Sequence, residues 1–99
     1  MKEIKKAESI PFPRSEPQEN FKFDAITDTG TITIAFKWLN ERWNCWITLP
    51  SGEVRQASVY PNVISWEGFN DYGFVFMTEL AEIDYNSLFL TQMVIIQWQ

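Results

Sequence analysis

The chain predicts a small all-β fold, an antiparallel sandwich or barrel of six to seven strands, and three observations carry that prediction. Apolar and polar side chains alternate with period two over several runs, as in half-buried strands. Turn-forming residues punctuate those runs at short spacing, and no window of ten residues carries a helical stripe. Composition supplies the core: 45% of the 99 residues are hydrophobic and 16% aromatic, enough to enclose one interior and too few for two.

Residues 1–20 read as an N-terminal arm and residues 21–99 as a single domain. The arm carries Pro11, Pro13 and Pro17, whose fixed φ and missing N–H disfavour helix interiors and central strands. Within it, Ile10-Pro11-Phe12 suits either a sheet edge, where proline is tolerated and two apolar side chains can be covered, or a loose terminus. On this reading the arm is dispensable for folding.

From Phe21 the alternation begins, with Phe21, Phe23 and Ala25 on one face, followed by a turn at Asp28-Thr29-Gly30. Thr31 to Trp38 is the clearest strand, with Ile32, Ile34, Phe36 and Trp38 aligned. Asn40, Glu41 and Arg42 then interrupt as a turn would. Trp43, Cys45, Ile47 and Leu49 continue the pattern as the second strand of a hairpin, closed by Pro50-Ser51-Gly52. Glu53 to Tyr60 reads as an edge or exposed strand, because its amphipathicity is weak. Val63 to Tyr72 reads as a long aromatic loop holding Trp66, Phe69 and Tyr72. Gly73 to Leu80 is apolar on both faces, which suits a strand covered on both sides. Met93 to Trp98 closes the fold, and Leu88-Phe89-Leu90 either opens that strand or anchors a loop.

Charge and residue content exclude several functions. Residues 1–20 hold four basic and four acidic groups, so the whole net charge of −5 falls on residues 21–99. That is the wrong sign for a surface that neutralises phosphates, so nucleic acid is not an expected partner. The absence of histidine removes Ser-His-Asp triads, Cys-His dyads and histidine-bearing zinc sites. Cys45 is the one cysteine and cannot form an internal disulfide, which fits folding in a reducing compartment. Between Trp43 and Trp46 on a strand it reads as buried and inert. No apolar run is long enough to cross a bilayer as a helix, so a soluble protein without a membrane partner is expected.

The acidic residues fall in turns and on polar faces, as solvated charges do, so neither a glycosidase pair nor a calcium loop is indicated. The glycines are too scattered for a phosphate-binding loop. The expectation is therefore a protein with no enzymatic activity, no metal and no cofactor. Its distinctive feature is its tryptophans: Trp38, Trp43, Trp46, Trp66 and Trp98 either all fill the core or, being more than so small a core needs, point some of their number at a partner. Two classes use such a surplus. An assembly protein buries it against other proteins or against copies of itself as a homo-oligomer, whereas a carbohydrate-binding β-sandwich module stacks sugars on exposed tryptophans.

Read as one string, Ile10-Pro11-Phe12, Pro17-Gln18, Phe21-Lys22-Phe23, the strand Ile32-Thr33-Ile34-Ala35-Phe36-Lys37-Trp38, Asn40, Arg42, Trp46-Ile47-Thr48-Leu49 and Ser51-Gly52 resembles the phage baseplate plug family, of the cyanophage type. Beyond Gly52 the resemblance rests on order alone: a polar strand, a connecting segment, Gly73-Phe74 opening a strand, and a final apolar strand ending in Trp98. Phe12 stands where the family has Leu, and Trp66 to Tyr72 replace its glycine-rich middle. The resemblance implies a non-enzymatic structural component of a phage or prophage tail, folded in the cytoplasm of a bacterial host. Its place would be the virion's baseplate, against hub, tube or spike proteins. On that reading Ile10, Phe12, Trp66, Phe69 and Tyr72 are the interface candidates.

Overall fold

The computed structural model describes residues 4–13, 18–27, 30–66 and 72–98, and it is a sandwich of two antiparallel sheets. Seven strands run in the order β1 (Ile4–Ile10), β2 (Asn20–Thr27), β3 (Gly30–Leu39), β4 (Arg42–Thr48), β5 (Val54–Ala57), β6 (Tyr72–Met77) and β7 (Gln92–Trp98). One sheet is the meander β2-β3-β4-β5. The other is β1-β7-β6, with the closing strand in the middle.

The meander follows from the alternation. Ile32, Ile34 and Phe36 on β3 and Trp43, Cys45 and Ile47 on β4 all face inward and are buried, in the register that sets Phe36 opposite Cys45. Leu39 pairs with Arg42, so the connection is a two-residue hairpin loop. Both its residues, Asn40 and Glu41, have positive φ, the geometry whose twist matches that of the flanking strands. At the next turn Gly52 adopts φ +92, where a side chain would be strained, and its N–H donates to the Leu49 carbonyl at 2.9 Å. The predicted turn at 28–30 falls largely outside the described residues. Gly30 itself begins β3, and a Cβ there would lie 3.1 Å from the Pro50 side chain.

The second sheet departs from the sequence-based expectation at its beginning. Residues 4–10, expected to belong to an arm, form β1, which pairs along β7 from Ile4↔Trp98 to Ile10↔Met93 with one bulge between Ile4 and Lys6. Charged residues suit this position because β1 is an edge strand, where polar side chains meet water. The division at residue 20 therefore cuts through a sheet, and the segment is part of the fold. Tyr72 also differs: instead of ending a loop it opens β6, opposite Gln97, with its ring facing inward beside Phe74 and Phe76. On β6 and β7 some outward residues are apolar too, and Val75, Val94 and Ile96 form a small second cluster on the far face of the sheet.

Aromatic rings fill the main core. Phe36 is fully buried and has the rings of Phe12, Phe21, Phe23, Trp43 and Phe76 within 5.0–6.3 Å of its own. Trp43 stacks on Tyr85 at 5.5 Å, and its Nε1 donates to the Asp84 carbonyl at 2.9 Å, tying the connection after β6 to β4. Leu88 anchors that connection through a 3-10 turn, Leu88–Leu90, whose first side chain is buried and whose last is exposed.

Candidate protein-interaction surface

The five interface candidates fall in different places. Ile10 is buried at the end of β1, and Phe12 is half-buried with its ring 5.1 Å from Phe89 and 5.9 Å from Phe36. Tyr72 is only 5% exposed, and its hydroxyl lies 3.1 Å from the Thr27 hydroxyl across the sandwich. Ile10 and Tyr72 are core residues, and Phe12 packs against the core. Phe69 lies outside the described residues. Trp66, at 62% exposure, is the candidate that the fold places on the surface.

Trp66 ends a segment that is fastened to the sheet by its backbone. Residues 61–65 run along the outer side of β6, bridging Pro61 to Phe76 and Ser65 to Phe74. The Asn62 N–H donates to the Phe76 carbonyl at 2.9 Å, and Ser65 and Phe74 exchange backbone bonds at 2.8 and 2.9 Å. The Asn62 side chain completes the attachment. Its amide donates to the Thr78 carbonyl at 2.8 Å while its oxygen accepts from the Thr78 N–H at 3.2 Å. Asn62 holds φ +60, a conformation that asparagine tolerates better than most residues. The Ser58 N–H donates to the Ser65 hydroxyl at 2.8 Å, closing the loop on itself.

With the backbone satisfied inward, the large side chains are left outward. Tyr60, Val63, Ile64 and Trp66 on this segment are exposed, as are Met77 and Leu80 at the end of β6 and just beyond it. A lone exposed apolar residue is ordinary, but several on one held segment make a surface suited to burial against another protein. Sequence reasoning found Trp66 and missed Tyr60, Val63, Ile64 and Met77. The signal available was the pair Val63-Ile64 set between Asn62 and Ser65, apolar residues in a stretch with no alternation to bury them.

An open groove of about 720 Å³ lies beside this margin, with Tyr60, Glu41, Glu82, Arg42, Asn44 and Gln56 among its walls. Its carboxylates face solvent. Among the described residues no group of three or more His, Cys, Asp or Glu is placed to hold a metal ion. Cys45 is fully enclosed on β4, and burial pushes its thiol well above the ordinary range, so it stays protonated. Trp46 lies half-buried on the outer face of the meander, with the Lys37 ammonium 6.0 Å from its ring centre. No helix among the described residues is long and apolar enough to cross a membrane.

Comparison with known proteins finds no family model, no curated relative and no solved structure that matches the chain.

Proposed function

We propose that the chain is a non-enzymatic structural protein of a phage or prophage tail, a baseplate component that joins hub, tube or spike proteins through the margin carrying Tyr60, Val63, Ile64 and Trp66. The observation that carries the binding role is the combination of a backbone hydrogen-bonded to β6 with apolar side chains turned to solvent. Such a segment is already ordered, so docking a partner on it costs little conformational entropy. The tail assignment is supported by the run of residues from Ile10 to Gly52 that resembles baseplate plug proteins. An acidic body fits that setting, because it resists adhesion to the DNA that passes through a tail.

The carbohydrate reading needs a row of exposed rings. Among the tryptophans whose side chains are described, Trp38 and Trp43 pack with Tyr85, Trp46 is half-buried, and only Trp66 is exposed. No observation favours it.

The test is composition. An affinity-tagged copy expressed in cells that assemble the particles should co-purify with intact tails and appear in their mass spectrum at fixed stoichiometry with the baseplate proteins. Tails that form without the chain, together with its binding to an immobilised oligosaccharide series, would overturn the proposal.

A further inference from the structure

A sandwich of two open sheets ends on four strand edges, each offering unpaired N–H and C=O groups to another strand. Three of the four are blunted here. β5 is four residues long, and the Arg55 guanidinium at that edge bonds the Val54 carbonyl and the Glu53 carboxylate. β6 takes residues 61–65 along its outer side. β1 is interrupted by its bulge and runs into Pro11.

β2 carries none of these devices. Its eight residues pair with β3 in unbroken register from Asn20↔Lys37 to Thr27↔Gly30, without proline or bulge, and among the described residues no other strand pairs with it. Phe21, Phe23 and Ala25 face the core yet stay only half-buried, while Asn20, Lys22, Asp24 and Ile26 face outward. Ile26 is 85% exposed, the most exposed large apolar side chain described. The Asp24 carboxylate is held upright by a 2.7 Å hydrogen bond donated by the Thr33 hydroxyl. Lys22 makes no ion pair among the described residues.

We infer that β2 pairs antiparallel with β2 of a second copy, about a two-fold axis at Phe23, and joins two four-stranded sheets into one of eight strands. The charges select this register. With the axis at Phe23, Lys22 lies opposite the partner's Asp24 and Asp24 opposite the partner's Lys22, and all residues from Asn20 to Ile26 are paired. Moving the axis one residue either way sets Lys22 on Lys22 or Asp24 on Asp24, which is repulsive. A register between these turns the inward phenylalanines opposite outward residues and is excluded by the pleat. Ile26 then lies diagonal to the partner's Lys22, whose methylene stem covers it. Because the axis makes the contact isologous, each favourable pair occurs twice and growth stops at a dimer. The inference is independent of the tail assignment.

Sedimentation equilibrium on the full chain tests it, with Lys22→Asp, Asp24→Lys and the double exchange compared with wild type. The wild type should form a dimer. Each single reversal sets two like-charge pairs across the axis and should weaken dimerisation about tenfold or more, at roughly 1 kcal/mol per pair converted. The double exchange restores opposite charges and should return within about threefold of wild type. An equimolar mixture of the two single variants should form a heterodimer, since one strand is then acidic and the other basic. Both residues changed, Lys22 and Asp24, are exposed, and near-ultraviolet circular dichroism verifies each fold. A wild type that is monomeric at every concentration would overturn the inference and leave the edge to a strand from another protein. A dimer indifferent to both reversals, or unrestored by the double exchange, would overturn it equally.

Discussion

Cys45 shows how a single side chain ties burial to a measurable property. It lies opposite Phe36 on β3 and Ala57 on β5, with no water-accessible surface. Enclosure disfavours the thiolate, so the folded chain keeps a proton that the unfolded chain releases at its ordinary value of about 8–9. The thiol's contribution to stability is therefore fully present below about pH 8 and is lost as pH rises, with a slope approaching ~1.4 kcal/mol per pH unit. Urea unfolding between pH 8 and 10 should show that slope in the wild type and not in Cys45→Ala. Parallel curves would mean that the thiol ionises inside the fold. This residue was legible from sequence, since its neighbours at spacings of two were all apolar. Tyr72 was not, because Gly73 beside it masks the alternation that Phe74 and Phe76 would otherwise extend.

At the scale of elements, legibility followed the clarity of period two. β3 and β4 read directly because every second residue of each, from Ile32 to Phe36 and from Trp43 to Ile47, is apolar and buried. β1 did not, because an edge strand of Lys, Glu and Ser lacks an apolar face and its pairing with β7 joins opposite ends of the chain. The consequence is that residues 1–10 should not be dispensable. Their deletion strips β7 of its partner on one side, leaving it paired with β6 alone, and removes the burial of Ile10, a loss of about 1.5–3 kcal/mol for that side chain alone. Thermal unfolding of the truncated chain should therefore begin well below that of the full chain. An unchanged midpoint would return the segment to the role of an arm. The β3–β4 turn offers an opposite change. Glu41 is held at φ +60 beside Asn40, and Glu41→Gly creates the favoured Asn-Gly pair, so denaturant unfolding should show a gain of about 1 kcal/mol. A loss there would mean that the Glu41 side chain makes a contact worth more than the backbone strain.

At the scale of the whole molecule, the fold separates two uses of aromatic residues. Most rings, Phe36 at their centre, join the sheets, while Tyr60, Val63, Ile64 and Trp66 stay exposed where residues 61–65 are held along β6. Trp66 was legible in the sequence as a surface candidate, but its exposed neighbours Tyr60, Val63 and Ile64 were not, because the segment's attachment depends on Asn62 and Ser65 meeting β6 from outside it in sequence. Of the candidates grouped by their apolar character, Ile10 and Tyr72 went to the core and Phe12 packs against it, since the sandwich needs apolar groups at its open side and at the start of β6. Trp66 remained outside, and its removal should separate binding from stability. Trp66→Ser should move the melting temperature by no more than about 2–4 °C, as an exposed substitution does, while reducing incorporation into purified tail particles at least tenfold. Incorporation equal to wild type, or a large fall in melting temperature in place of the binding defect, would contradict the account.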